Sequence, residues 1–423
     1  MAMLILTILA TTKGPLYHLR VQFSSVPLGG DFIDDRLVQA AFLALYGGLI
    51  AVAWPARHRV IERATPLLMT QAMFLLVLLL SAFWSIAPGR TVEQVVMLIA
   101  GTSAFALAAG HFSGRQMLFG FWFAMQLGMA LSLFARWQQW VLSVDQRGNL
   151  VGVYFNRNSL GAVATAGVLT TIALLYVRGS DRRRPEPGVM PVSRAEIAAI
   201  GIAGILNAAV WWWSNSLTPA MALLLAIWAG GLAATAMASG RYRALRRSAA
   251  SVLGVLTLIA LVASVAARSL FAGLIGRSPT YTGRTLIWAE VIEAWQRRPF
   301  GGYGFMAAWF DPDLRAGLVA RGRDVYEAHS GYLEVLVGAG VIGALALGAV
   351  LLASIASIAS ALRTRPGPIT IWFVAAATYS LSANLGETYI GANLFIWMLF
   401  VVVTIQARLS TPLDDEPTEL TDT

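Results

Sequence analysis

The side chains best suited to chemistry lie together between Gly283 and Gly340. Arg284 stands at the start of a predicted helix, where free backbone N–H groups and the helix dipole favour an anion. A guanidinium fork at that position would make a clamp for a phosphate or a pyrophosphate. The structural alternative stays open at this point, because an arginine there can also pair with a carboxylate or extend to lipid head groups.

His329 is the second chemical candidate, and a long apolar stretch follows it. An imidazole with an ordinary pKa near 6.5 is largely neutral at neutral pH and can accept a proton from a hydroxyl. A single histidine is more often structural, so the residue alone does not establish catalysis. Tyr332 lies one helical turn further on and is a candidate for contacting substrate. The remaining histidines lack a partner motif: His18, His58 and His111.

Three polar turns, at 156–159, 214–218 and 384–387, are expected on the same side of a membrane as this stretch. Most of their residues are ordinary helix caps. Their charged members, Arg157 and Glu387, are therefore the candidates for substrate binding. Arg298, at the far end of the predicted helix, favours solvent or head groups and is a further binding candidate.

Composition identifies the elements that must hold these side chains. The chain has 423 residues, of which 57% are hydrophobic and 13% charged, against about 25% charged in soluble domains. This predicts an all-α, polytopic integral membrane protein. Zero cysteines exclude disulfides and thiolate chemistry, and four scattered histidines predict neither a metal site nor a cofactor. The net charge of +9 is spread over short loops, which argues against a nucleic-acid partner.

A membrane-spanning helix needs about 20 mostly apolar residues. Residues 1–10 are apolar without a signal-peptide pattern, so we expect them to be retained as a short, twelfth span. The other eleven predicted spans are 37–54, 66–86, 92–109, 116–134, 160–177, 197–213, 219–238, 248–267, 332–358, 369–383 and 390–407.

Alternate loops carry the excess of arginine that marks cytoplasmic loops. This assignment places both termini in the cytoplasm and a long loop, 268–330, in the periplasm. Residues 1–410 then form one transmembrane domain, and 411–423 form an acidic cytoplasmic tail. Within the long loop, apolar residues recur at helical spacing from 285 to 298, with Thr282 as the expected N-cap. This pattern predicts an amphipathic helix at the membrane interface.

Taken together, these features resemble the O-antigen ligase and O-antigen polymerase superfamily of bacterial membrane glycosyltransferases, which includes exopolysaccharide polymerisation proteins. The resemblance extends over most of the chain. It is carried by residues 83–88 with Thr91, residues 152–161, Gly283, Arg284 and Trp288, residues 298–301 with Gly304, His329 with residues 332–334, Glu387 and Trp397.

The resemblance implies a metal-independent, inverting transfer at the periplasmic face of the inner membrane. The donor would be a glycan on undecaprenyl pyrophosphate, and the acceptor a sugar hydroxyl on another lipid-linked glycan or on lipid A core. By position, Arg284 would hold the pyrophosphate and His329 would activate the acceptor. Polysaccharide assembly proteins are possible partners.

The sequence departs from the family at Leu217, where many members have a basic residue. A second phosphate ligand must then come from elsewhere, with Arg157 as the first choice.

A polymerase is favoured over a ligase. A transporter or lipid-carrier flippase is the alternative from another class, although the charged residues lie near the ends of the spans rather than at their centres.

Overall fold

A computed structural model of the protein describes residues 1–16, 36–140, 142–183, 192–237, 248, 283–391 and 393–411. These ranges are helical and contain no extended strand, so the all-α prediction is confirmed. The helices are α1 (Ala2–Thr11), α2 (Arg36–Ala53), α3 (Arg57–Leu80), α4 (Pro88–His111), α5 (Gly114–Trp137), α6 (Arg157–Arg183), α7 (Arg194–Ser214), α8 (Thr218–Ala236), α9 (Arg284–Arg297), α10 (Pro312–Ala320), α11 (Gly331–Thr364), α12 (Pro368–Ala383) and α13 (Phe395–Leu409).

Among the described residues, 7 helical runs are long and apolar enough to cross a membrane, and α1, α12 and α13 are shorter apolar helices. The chain is therefore a multi-pass membrane protein. Several predictions fall outside the described ranges: the span 248–267 beyond Ser248, the cap at Thr282, the first part of the long loop, and the acidic tail beyond residue 411.

One of the apolar runs, Arg36–Trp84, is a helical hairpin rather than a single span. Gln39 near the start of α2 donates to Glu93 near the start of α4, at 2.5 Å. At the other end of α4, Gly110 lies against Val60 at the start of α3. Helices α2 and α3 therefore run in opposite directions along α4, and the 3-10 turn Trp54–Ala56 joins them.

Helix α13 lies at the centre of the bundle and buries all of its residues except Arg408. A helix that is apolar all round belongs in a core, and its Trp397 donates to Thr102 of α4 at 3.0 Å. The predicted span 390–407 begins too early. The described residues between 386 and 394, which are 386–391, 393 and 394, are not helical, and this turn carries Glu387.

Helix α11 is broken at Gly340, whose φ of 63° and ψ of −162° are not helical. A loop that follows α9 fills the break. The N–H of Val341 donates to the carbonyl of Pro299 at 2.9 Å, and the N–H of Tyr303 donates to the carbonyl of Val337 at 3.0 Å. The loop thus supplies the backbone hydrogen bonds that the helix lacks, which buried backbone groups require.

Glycines make this insertion sterically possible. Gly302, Gly304 and Gly340 all have positive φ, a conformation that glycine adopts without the steric cost of a Cβ. A Cβ at Gly340 would collide with the carbonyl of Phe300. On the opposite side of the loop, Trp84 Nε1 donates to the Gly301 carbonyl at 2.7 Å. The glycine-rich turn after α9 therefore has a structural role.

Helix α9 runs one residue ahead of its predicted bounds and packs against α10 and α11. Its buried residues are Ile287, Glu290, Val291 and Ala294. The apolar residue Ile292 of the same helix is 40% exposed. The buried carboxylate of Glu290 is paired with Arg321, which follows α10. This pair fixes α10 on α9 at the end of the bundle where the candidate residues lie.

Candidate functional site

Glu387 is the centre of the candidate site. Its Oε1 accepts hydrogen bonds from the guanidinium of Arg284 and from Asn158 Nδ2, the latter at 2.7 Å. Its Oε2 lies 3.0 Å from Nδ1 of His329. Only 8% of the Glu387 side chain is exposed. One buried carboxylate therefore joins the two residues expected to act on substrate.

The turn that carries Glu387 is tied to the start of α11. The Gly331 N–H donates to the carbonyls of Asn384 and Glu387, at 3.0 and 3.1 Å. The Asn384 side chain in turn accepts from the N–H of Tyr389 at 3.0 Å. These bonds satisfy a helix N-terminus, and they bring the turn beside His329, which lies two residues before Gly331.

His329 presents one ring nitrogen to protein carboxylates. Its Nδ1 lies 3.0 Å from Glu387 and 3.2 Å from Glu327. Both groups are acceptors when ionised, so Nδ1 carries the proton and Nε2 keeps its lone pair in the neutral ring. The backbone of His329 has φ of 48°, which lies in the left-handed region. This conformation costs a non-glycine residue about 1–3 kcal/mol, and residues that adopt it cluster at functional sites.

The surroundings shift the pKa of this histidine. Burial acts to lower the pKa of His329, but the hydrogen bond with Glu387 and the charge of Glu327 outweigh burial and raise it above 6.5. The pKa of Glu327 is also raised, because protein atoms desolvate its carboxyl even though 38% of the side chain is exposed. The two acids therefore stabilise a protonated imidazole.

Arg284 is the first residue of α9, as predicted, and its guanidinium is mostly buried. Nη1 donates to Thr218 Oγ1 at 2.8 Å, and Nη2 pairs with Glu387. The structural alternative, in which this arginine pairs with a carboxylate, is therefore observed. A guanidinium has five N–H donors, and the others have no protein partner among the described residues, so they remain able to bind an anion.

A polar chain links the turn before α8 to the same carboxylate. Ser216 Oγ donates to Asn158 Oδ1 at 2.9 Å, and Asn158 donates to Glu387. Sequence reasoning treated Asn158 and Ser216 as helix caps and did not single out Glu327. The available signal for Asn158 and Ser216 was their position on polar turns expected at the same side of the membrane as Glu387. The side chain of Arg157, next to Asn158 in the sequence, forms no hydrogen bond or ion pair with the described residues.

Two predicted binding residues are engaged elsewhere. Arg298 stacks on the ring of Tyr303 at 4.7 Å. Helix α9 has 14 residues and is about 21 Å long, which separates Arg298 from Arg284. The Tyr332 hydroxyl donates to the Leu381 carbonyl at 2.9 Å, so its described contact holds α11 to α12.

A buried glutamate fixes the segment just before His329. Glu334 has no exposed surface. It accepts from Trp309 Nε1 at 2.7 Å and from the N–H of Ala328 at 2.9 Å. The Ala328 carbonyl accepts from Trp288 Nε1 of α9 at 3.0 Å. These bonds hold the backbone beside His329 against both α9 and α11.

Glu327, His329 and Glu387 could also supply metal ligands. One ligand atom from each lies within 4.8 Å of the others. The guanidinium of Arg284, however, already pairs with Glu387. A divalent cation would have to compete with that positive charge for the same carboxylate.

The fold and the site together define a multi-pass helical membrane protein with a histidine, carboxylate and arginine cluster at one end of its bundle. Residues 188–348 match the family model described as O-Antigen ligase. The chain is 26% identical to the "Exopolysaccharide production protein ExoQ" of Rhizobium meliloti (strain 1021) over 323 residues, which cover 75% of this chain and 71% of that protein. Both matches support placing the chain in the O-antigen ligase and polymerase superfamily. The matched family region contains Arg284 and His329 but ends before Glu387.

Proposed function

We propose that this protein is a glycosyltransferase that moves a glycan from a polyprenyl pyrophosphate carrier to a sugar hydroxyl. The observation that carries this proposal is the bridge formed by Glu387 between His329 and Arg284. The bridge brings an imidazole, which can accept a proton, close to a guanidinium, which can bind an anion. The match to the O-antigen ligase family model and the exopolysaccharide relative support the substrate class.

His329 acts as the general base. The acceptor hydroxyl gives its proton to Nε2, and its oxygen attacks the anomeric carbon of the donor. The bond from that carbon to the pyrophosphate oxygen breaks, and its electron pair leaves with the pyrophosphate. Attack opposite to the leaving group inverts the anomeric centre. Glu387 and Glu327 stabilise the imidazolium that results.

Arg284 acts on the leaving group. Negative charge grows on the pyrophosphate oxygen as the glycosidic bond breaks, and a fixed guanidinium stabilises that charge. The first turn of α9 adds backbone N–H groups at the positive end of the helix dipole. The mechanism needs no metal, and we expect a chelator such as EDTA to leave the rate unchanged.

A polymerase that joins repeat units is favoured over a ligase that uses lipid A core, since the relative is named for exopolysaccharide production. Undecaprenyl is the proposed polyprenol, and the proposed location is the periplasmic face of the inner membrane. Arginine-rich loops at the opposite end of the bundle support this orientation. Arg115 and Asp181, for example, pair there at 2.8 Å.

The broken helix is the feature that most favours the transporter alternative, because transporters use discontinuous helices to bind substrate. Here the loop 299–304 occupies the backbone groups exposed by the break at Gly340. Those groups are then not available to a transported ligand. We therefore favour the transferase.

The test is the pattern of lipid-linked glycans in cells whose gene for this protein is deleted and then complemented. Loss of a polymerase leaves single repeats on the carrier, whereas loss of a ligase leaves long chains. Wild-type protein should restore polymer, and the Arg284→Ala and His329→Ala proteins should fail although they insert normally. Normal polymer in cells with His329→Ala would refute the general base.

A further inference from the structure

The side chain of Arg323 lies beside the start of α9 and forms no hydrogen bond or ion pair with the described residues. Arg323 follows the turn after α10, where Gly322 has φ of 69° and the Arg323 N–H donates to the Leu318 carbonyl at 2.9 Å. This turn directs the chain back toward α9. The guanidinium of Arg323 lies against Gly283, the N-cap of α9.

The contact between Arg323 and Gly283 depends on the absence of a side chain. Gly283 has φ of 87°, and a Cβ built there would lie 2.8 Å from Arg323 Nε and closer still to the end of the guanidinium. Gly283 forms no side-chain cap for α9. The first N–H groups of the helix and the guanidinium therefore lie next to each other, with Arg284 as the adjacent residue in the chain.

This arrangement is electrostatically unfavourable by itself. The N-terminus of a helix carries a partial positive charge and stabilises anions rather than cations. The Arg323 side chain is partly exposed, but its Nε is buried and has no hydrogen-bond partner, whereas buried polar atoms normally have one. An anion placed between the helix end and the guanidinium would satisfy both.

The charged neighbours in residues 283–330 are already used. Arg315 pairs with Asp324 at 2.6 Å, and Arg321 pairs with Glu290. Arg297 lies 3.3 Å from Asp311. Within this part of the described chain, Arg323 is the arginine whose side chain has no hydrogen bond, ion pair or ring contact. The carboxylate of the adjacent Asp324 is held by Arg315.

We propose that Arg323 is a second anion-binding residue, which holds one phosphate of the pyrophosphate while Arg284 holds the other. This inference rests on the function proposed above. Two arginines at one helix end match a ligand with two linked phosphates, and each can donate paired N–H groups to phosphate oxygens. Arg323 would supply the second phosphate contact that Leu217 cannot make. It would do so together with Arg157 or instead of it.

The test measures binding of undecaprenyl pyrophosphate and undecaprenyl monophosphate to the purified full-length protein in nanodiscs. Wild type should prefer the pyrophosphate. Arg323→Gln should weaken pyrophosphate binding about 10- to 100-fold, as expected for a lost charge-assisted hydrogen bond, and should reduce the preference over monophosphate. Arg363→Gln, a change at an exposed arginine at the far end of α11, is the matched control and should bind as wild type does.

A second measurement uses only wild-type protein and so does not depend on how the variant folds. Phenylglyoxal modification of Arg323, mapped by mass spectrometry, should be suppressed by undecaprenyl pyrophosphate, while modification of the exposed Arg363 should not change. Unprotected Arg323, or equal affinity of Arg323→Gln and wild type, would overturn this inference alone. Absence of pyrophosphate binding by wild type would instead overturn the proposed function.

Discussion

Replacing Glu387 by glutamine isolates the charge at the centre of the site, because the two side chains have nearly the same shape. Glutamine would keep an oxygen that can accept from Asn158 or Arg284. It would lose the negative charge that faces both Arg284 and His329 Nδ1. The buried guanidinium, 12% exposed, would then lack its carboxylate.

The expected size of the effect follows from these contacts. Breaking a buried ion pair costs about 3–5 kcal/mol, and glutamine should cost less because one acceptor oxygen remains. For catalysis, the loss of a correctly oriented general base corresponds to about 100-fold or more in rate. We therefore expect a folded, less stable protein with a transfer rate reduced at least about 100-fold.

The pH dependence separates this role from a merely structural one. The general base must be neutral, so wild-type activity should fall as pH drops through the raised pKa of His329, above 6.5. Without Glu387, the hydrogen bond that raises this pKa is lost, and the acidic limb of the remaining activity should move to lower pH. Glu327 remains beside His329, and its charge limits how far the pKa of His329 falls.

The assay is transfer from a synthetic polyprenyl pyrophosphate glycan by purified protein, measured across pH, with thermal unfolding recorded for each variant. Glu293→Gln is the matched control, since this carboxylate is 61% exposed and lies 3.7 Å from Arg297 on α9. Glu387→Gln protein with a wild-type rate and an unchanged acidic limb would refute the role assigned to the bridge.

Two further predictions concern the fold. Gly340→Ala should lower the free energy of unfolding in detergent by about 1–3 kcal/mol or more, because of the positive φ at this position and its contact with Phe300. Gly348→Ala, on the open side of α11, is the control and should be neutral or slightly stabilising. Equal stability of the two variants would contradict the role given to Gly340 in the break. Single cysteines at Asp313 and Arg363, introduced into this cysteine-free chain, should react with impermeant maleimide from opposite sides of the membrane, and labelling from the same side would show that the assigned topology is wrong.

The sequence by itself determined the class of the protein and the positions of most helices. Apolar runs of about 20 residues specify membrane helices locally, which is why α4 and α5 lie within a few residues of their predicted bounds. The amphipathic pattern after Gly283 likewise located α9, and residue type made Arg284 and His329 candidates for chemistry. Local pattern also misplaced the start of α13, because residues 390–394 are mostly apolar although Ile390, Gly391, Asn393 and Leu394 are not helical.

Only the tertiary structure decided which of these residues meet. Glu387 lies 58 residues from His329, 103 from Arg284 and 229 from Asn158 in the chain, so no local period relates them. They converge because the turn after α12 bonds to the first residues of α11 and because α9 starts beside Thr218. The same packing leaves Arg298 at the far end of α9 and places the unpaired Arg323 at its beginning, since both positions depend on how separate helices are arranged in space.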